Sequence, residues 1–152
     1  TGGAVKKVIQ ELDGCAFVTY GDTFLEISYR DVFEESQKKS TPLMVIYKNN
    51  SKYDESNVLL KNNKILYRKQ SPYPKSQYID YGLSIFSSDE FINSQDAFDL
   101  SDIQESLSNK GLLSYYIAKK RFYEIGTPQS LKETRNFLNN YDIQKLKKYL
   151  SW

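Results

Sequence analysis

The stretch AFVTYGD, residues 16–22, decides how the rest of the chain is read. Residues 16–20 are a short run of apolar, aromatic and β-branched side chains suited to a buried strand, and Gly21-Asp22 stops it. A carboxylate therefore stands at the carboxyl end of a strand. Upstream, Val5, Val8, Ile9 and Leu12 fall at i, i+3, i+4 and i+7, with Lys6, Lys7, Gln10 and Glu11 on the other side. This spacing predicts an amphipathic helix that starts at Gly2-Gly3 and ends at Gly14. Downstream, residues 27–39 read as a second helix and residues 43–47, opened by Pro42, as a second buried strand. Helices alternating with strands are the pattern of an α/β domain with a mostly parallel sheet.

The middle of the chain changes character. Val58-Leu59-Leu60 and Ile65-Leu66-Tyr67 flank Lys61-Asn62-Asn63-Lys64, and an Asn-Asn centre tolerates the left-handed backbone of a hairpin turn. Ser71-Pro72-Tyr73-Pro74 is a loop, and residues 78–86 are strand-like with a break at Asp80-Tyr81-Gly82. Ser101 with Gln104 resembles a capping box for a helix carrying Ile103 and Leu107. In FYEIGTPQSL, residues 122–131, Thr127 is set to cap a helix with Pro128 at its first position; Leu131, Phe137, Leu138 and Tyr141 supply that helix's apolar face. A last short helix capped by Asp142 is expected to turn Ile143, Leu146 and Leu150 inward.

Composition bounds the chemistry. A chain of 152 residues, 39% hydrophobic, is long enough for one domain with a real core. With 21 Lys and Arg against 19 Asp and Glu, there is no general electrostatic footprint for nucleic acid. The 13 tyrosines are scattered through every element rather than gathered on a basic stripe, which leaves the same reading. The one cysteine, Cys15, has no partner for an internal disulfide and is expected to be a small buried residue in a reducing, cytoplasmic setting. No apolar run reaches the length of a membrane span. There is no histidine, which excludes imidazole acid/base catalysis, Ser-His and Cys-His nucleophiles and His-based zinc sites within this chain. The chain begins at Thr1 and its only methionine is Met44, so a fragment, a processed chain or a trimmed form is expected.

Four segments in order, TGGAVKK (1–7), TYGDTFLEI (19–27), YIDYGLSIF (78–86) and RFYEIGTPQSL (121–131), resemble the sugar-1-phosphate nucleotidyltransferases, particularly the bacterial branch of the heptose- and mannose-1-phosphate guanylyltransferases. The resemblance spans nearly the whole chain. It implies a three-layer, Rossmann-like α/β fold, incomplete at its N-terminal side, with the hairpin region as a small subsheet over the sugar site. It also implies that residues 1–152 are the C-terminal portion of one catalytic domain. Members of the family open with a Gly-rich loop ending in Arg and a downstream Pro-Lys that hold the triphosphate, and neither lies in this sequence.

The resemblance implies Mg2+-dependent joining of a nucleoside triphosphate, GTP by the branch, to a sugar 1-phosphate. Asp22 and Glu124 are the implied metal ligands, Lys69 the contact to the sugar phosphate, Asp80 and Gly82 the sugar-lining pair, and Gly2 and Gly3 the loop facing the nucleotide. Glu124 departs from the Asp that many members carry at this position. Read without the family, Asp22 caps a turn or helix, Glu124 pairs with Arg121 or a nearby lysine, Lys69 belongs to a solvated basic edge with Lys64, Arg68 and Lys75, and Gly2-Gly3 is a plain helix start. Two other functions stay open: a non-catalytic module that binds sugar phosphate or nucleotide, and a structural remnant whose open sheet edge pairs with another chain, with the N-terminal segment or with itself. The isolated 152 residues are expected to be inactive because the triphosphate loop is not among them.

Overall fold

The computed structural model describes residues 1–39, 42–146 and 149. A helix α1 (Gly2–Ile9) precedes strand β1 (Cys15–Thr19), the two-residue strand β2 (Thr23–Phe24), helix α2 (Tyr29–Lys39) and strand β3 (Leu43–Lys48). The hairpin β4 (Val58–Lys61) and β5 (Lys64–Tyr67) follows, then the long strand β6 (Tyr78–Ser87), helix α3 (Leu100–Asn109), strands β7 (Ser114–Ala118) and β8 (Tyr123–Glu124), and helix α4 (Pro128–Asn139). No described helix is long and apolar enough to cross a membrane.

The main sheet runs β5-β4-β6-β3-β7, with β1 also paired to β6. Among the described residues only β3 and β7 are parallel neighbours; β1, β3 and β4 all lie antiparallel to β6. The expectation of a mostly parallel sheet is therefore corrected. Strands β1 and β3 do point the same way, as the helix between them requires, but β6 is inserted between them. The hairpin also differs from expectation: β4 joins the main sheet through Val58 opposite Tyr78, and the separate small sheet is β2 with β8. Asn62 and Asn63 take the left-handed conformation at φ 51° and 58°, as the Asn-Asn turn predicts.

Strand β3 explains where the core sits. Leu43 and Val45 face one cluster with Val32, Leu83 and Ile85, while Met44 and Ile46 face another with Val58, Ile65 and Leu113. All four are fully buried, as befits a strand covered on both faces. Helix α2 packs on one side; α1 and α3 pack on the other, where Ile9, Phe86, Phe91 and Leu100 form a third cluster. This is the three-layer α/β arrangement.

Several local expectations are corrected by packing. Helix α1 stops at Ile9, which leaves Leu12 beyond it and 45% exposed, and within the helix Val8 is 64% exposed instead of turned inward. Cys15 is exposed at the end of β1. Helix α3 is boxed by Asp99 and Asp102 at its first turn, whereas Ser101 and Gln104 are buried and Gln104 Nε2 donates to Ser84 Oγ at 3.3 Å. The Thr127 cap of α4 forms as expected, with Ser130 N–H donating to its hydroxyl at 3.1 Å and Pro128 at the first position. The buried face of α4 is nevertheless Thr134 with the half-buried Phe137, while Leu131 and Leu138 stay at least 40% exposed. Asp142 caps the 3-10 turn Ile143–Leu146, with Gln144 N–H donating to its carboxylate, but Ile143 is 72% exposed and Leu150 lies outside the described residues.

Candidate functional site

The site is a gap in the sheet. Strand β3 occupies one edge of β6 from Tyr78 to Ile85, so β1 and β4 must share the other. Strand β1 reaches only as far as Leu83, opposite Thr19, and β4 pairs only at Tyr78. Residues 79–82 are left between them. Here β6 bulges: Met44 faces Ser84 but Ile46 faces Asp80, so four residues of β6 answer two of β3. Gly82, at φ +82°, supplies the backbone conformation this requires. The predicted break at Asp80-Tyr81-Gly82 is thus a bulge inside one continuous strand.

Above residues 79–82 opens a cavity of about 360 Å³. Tyr20, Asp22 and Thr23 form one wall, and Asn57, Tyr67 and Lys69 from the hairpin form the opposite one. Asp54 and Glu55 stand at the rim, and Phe122 and Glu124 close the side nearest β8. Asp22, Lys69, Asp80, Gly82 and Glu124, spread over a hundred residues of sequence, therefore line one space. Gly2 and Gly3 do not. A Cβ on Gly2 would run into the Phe98 ring and one on Gly3 into the Asp96 carbonyl, so both glycines allow α1 to pack closely on residues 96–98.

Two carboxylates converge at the β2–β8 end. Thr23 pairs with Glu124 in the small ladder, which brings Asp22, one residue earlier, alongside. A Cβ placed on Gly126 would stand 2.9 Å from Glu124 Oε2 and 3.9 Å from Asp22 Oδ2. Glycine at 126 keeps this space open, and the Gly126 N–H donates to Glu124 Oε2. Arg121 is not the partner of Glu124. Its guanidinium lies 3.6 Å from the Tyr53 ring centroid and 4.3 Å from that of Tyr123, and it pairs with Glu133 at 3.3 Å. Among the described residues no group of three or more His, Cys, Asp or Glu is placed to hold a metal ion; two carboxylates are a ligand set that Mg2+ could use, since it takes one or two protein carboxylates and keeps positions for other oxygens.

Asp80 sits half-buried at the floor. Its Oδ1 accepts from Gly82 N–H at 2.9 Å and its Oδ2 from the Tyr20 hydroxyl at 3.0 Å. Burial pushes its carboxyl above the ordinary range; those two donors, the Gln104 amide and the Lys69 charge oppose the rise without cancelling it. Burial and the Asp80 charge push the Tyr20 phenol up, so Tyr20 remains a donor at neutral pH. Where β6 lacks a strand partner, Asp80 N–H donates to Asn57 Oδ1 at 3.0 Å and Tyr20 N–H to Gly82 O at 3.0 Å. On the hairpin wall the neighbouring cations divide: Arg68 pairs with Glu105 at 3.4 Å and stacks on Tyr73, whereas exposed Lys69 has no ion pair among the described residues and faces Asp80.

Tyr20, Asn57, Tyr67 and Phe122 were not singled out by sequence. Tyr20 had a signal in its place directly before Gly21-Asp22, but Asn57 did not, because its role is to replace a missing strand partner in three dimensions.

No known family model matches the sequence, and no characterised protein matches it by sequence either. Solved structures do. The chain superposes on a crystal structure assigned as a glucose-1-phosphate thymidylyltransferase from Bacillus anthracis, in complex with sucrose, at TM-score 0.71 and 17% identity over 93% of this chain and 60% of that one. HddC from Yersinia pseudotuberculosis gives 0.65 and 19% over 88% and 60%; the inositol-1-phosphate CTP transferase from T. maritima gives 0.65 and 13% over 98% and 62%. The chain thus spans about three fifths of the length of each. It shares the α/β fold of these structures.

Proposed function

We propose that the chain is the later portion of a nucleotidyltransferase catalytic domain that joins a nucleoside triphosphate to a sugar 1-phosphate, giving an NDP-sugar and pyrophosphate. The observation that carries this reading is the convergence of the Asp22 and Glu124 carboxylates beside a cavity floored by Asp80 and Gly82 and flanked by Lys69. The fold supports it, since the similar structures include one assigned as a glucose-1-phosphate thymidylyltransferase and an inositol-1-phosphate CTP transferase.

In this reaction an oxygen of the sugar phosphate attacks the α-phosphorus, the bond to the β-phosphate bridging oxygen breaks, and pyrophosphate departs with that electron pair. The nucleophile is already ionised, so no general base is needed, which agrees with a chain that has no histidine. What the protein must supply is alignment and neutralisation of charge. Asp22 and Glu124 would hold Mg2+, which would supply neutralisation of phosphate charge during transfer. Lys69 draws the acceptor phosphate into the cavity as a mobile point charge. Asp80, fixed by Tyr20 and the Gly82 N–H, accepts from sugar hydroxyls, and the missing side chain at Gly82 lets the ring approach the backbone.

A second reading has its own observation. The spaces beside Gly2 and Gly3 are filled by Phe98 and Asp96, while Lys69, Asp80 and Gly82 line one cavity. Alone, the chain is then a sugar-phosphate-binding module. GTP is our preferred triphosphate and the cytoplasm our preferred compartment; an exposed Cys15 with no partner thiol suits reducing conditions. Among the described residues β1 has one sheet neighbour, so its other edge is one place where a further strand, from the same or another chain, would add. The experiment is a panel of triphosphates and sugar 1-phosphates, assayed for pyrophosphate with the longest protein that contains this chain, beside calorimetric titration of the 152 residues with each sugar 1-phosphate. Turnover with one pair supports the transferase; binding without turnover supports the module. No binding and no turnover would refute both.

A further inference from the structure

Strand β8 has only two residues and pairs only with the two of β2, too short a ladder to fix a metal ligand by itself. Its position comes from helix α4. Three contacts tie consecutive parts of the Arg121–Glu124 segment to that helix: Arg121 pairs with Glu133 at 3.3 Å, Tyr123 stacks on Phe137 with centroids 3.8 Å apart and planes 11° from parallel, and the Thr134 hydroxyl donates to the Glu124 carbonyl at 2.6 Å.

The third contact differs from the others. Thr134 is 4% exposed, at a helix position where an apolar side chain would bury more favourably. A threonine inside a helix ordinarily turns its hydroxyl proton back to a carbonyl of its own preceding turn. Thr134 has one such proton and gives it instead to Glu124 O. That bond fixes the peptide leaving Glu124, and with it the direction of the Glu124 Cα–Cβ bond. At the other end of the same side chain, Gly126 N–H holds Oε2. Glu124 is therefore fixed at its backbone and at its carboxylate, and Thr134 supplies the backbone half.

We propose that Thr134 is a positioning residue for Glu124: its buried hydroxyl sets the glutamate so that the Glu124 and Asp22 carboxylates can close on one divalent cation. This rests on the reading of Asp22 and Glu124 as metal ligands, and the experiment separates the two claims. Mn2+ binding is measured by water-proton relaxation, and exchange of the Gly126 amide by NMR, for the wild-type chain and for Thr134→Val, Thr134→Ala, Thr134→Ser and Glu124→Gln.

Thr134→Val keeps the shape and removes the donor; Thr134→Ala is the smaller variant that also lacks it, should valine fit badly. Both are expected to weaken Mn2+ about tenfold, the usual scale for losing a group that orients a ligand, and to speed Gly126 amide exchange. Thr134→Ser is expected to restore both to within about twofold of wild type. Wild-type Mn2+ affinity in a folded, hydroxyl-less variant overturns the proposal, as does a Thr134→Ser variant as weak as Thr134→Val. If Glu124→Gln binds Mn2+ as well as wild type, the metal reading of Glu124 fails instead. Gly126 exchange then decides the positioning claim alone: faster exchange in Thr134→Val upholds it and unchanged exchange overturns it.

Discussion

Asp22 and Glu124 stand side by side because Thr23, not Asp22, is the ladder partner of Glu124, and both carboxylates close on the space above Gly126. The arrangement makes the glycine as informative as the acids. Gly126→Ala puts a methyl 2.9 Å from Glu124 Oε2, closer than unshifted atoms tolerate, so the carboxylate must swing away. In the longest protein containing this chain, Asp22→Asn is expected to lower turnover at least about a hundredfold. Gly126→Ala should lower it about tenfold, with thermal midpoints near wild type. Glu124→Asp should keep part of the activity that Glu124→Gln loses. Pyrophosphate release at the wild-type rate by folded Asp22→Asn would remove it from the site.

The neighbouring cations of the hairpin predict a division of effects. Arg68 is engaged with Glu105 and Tyr73, so Arg68→Ala is expected to cost stability, about 1 kcal/mol, and leave acceptor binding nearly unchanged. Lys69→Ala should do the reverse, raising KM for the sugar phosphate more than for the triphosphate at unchanged thermal midpoint. Steady-state kinetics in both substrates, paired with thermal melts, separates the two. A triphosphate-only effect in Lys69→Ala would move its charge to the other substrate.

Sequence reading went furthest where a side chain's job is set by its own neighbours in the chain. The Asn62-Asn63 turn, the Thr127-Pro128 helix start and the Gly21-Asp22 strand end need only local geometry, and all three form. The apolar run 43–47 reads as a buried strand for the same reason, and residues 43–46 are fully buried with Tyr47 half-buried. Pairing was less legible. Nothing in the residues of β6 says that it enters antiparallel between β1 and β3, since a parallel and an antiparallel central strand carry the same apolar pattern. The failures of the α3 box and the α4 face have a common cause. Ser101, Gln104 and Thr134 are polar residues claimed by burial, where distant backbone or hydroxyl groups satisfy them, and a periodicity argument assigns such residues to solvent. Asp80 and Gly82 were legible as a break in a strand, but the cavity they floor exists only because β1 and β4 both stop short of them.

The ion pair between Glu26 and Lys120 predicts a pH-dependent stability. Glu26 is 8% exposed, and Lys120 Nζ and the Tyr141 hydroxyl donate to its Oε1 at 2.6 and 2.7 Å. Burial pushes the Glu26 carboxyl up, but the two donors and the Lys120 charge outweigh it, leaving it below its ordinary value. A carboxyl depressed on folding stabilises the fold above the unfolded value, and the contribution disappears as pH falls through the folded one. Glu26→Gln should therefore lower the thermal midpoint at pH 7 by roughly 2–4 °C, on the order of 1 kcal/mol with the half-exposed lysine end screened by solvent. Melts from pH 7 down to about pH 3 should show the two proteins converging below about pH 4. A constant gap across that range would assign the loss to packing.

Asp80 predicts the opposite sign. Its carboxyl is raised by burial, so above the folded value the charged form is carried at a cost that the unfolded chain does not have. Below about pH 4, where the unfolded chain also holds the proton, that cost is absent. Asp80→Asn keeps the shape, and its amide can still accept from Gly82 N–H while donating to the Tyr20 oxygen, two of the contacts that the carboxylate makes now. The variant should melt a few degrees above wild type at pH 7, and the difference should vanish near pH 4. Acceptor binding should move the other way. A carboxylate accepts from sugar hydroxyls about twice as strongly as an amide, so calorimetry should show sugar 1-phosphate binding weakened at least about tenfold. Such a residue, retained at the expense of stability, is a binding group. If Asp80→Asn melts below wild type at pH 7 and binds sugar phosphate equally well, Asp80 is a structural support for the Gly82 bulge and the sugar contact lies elsewhere in the cavity.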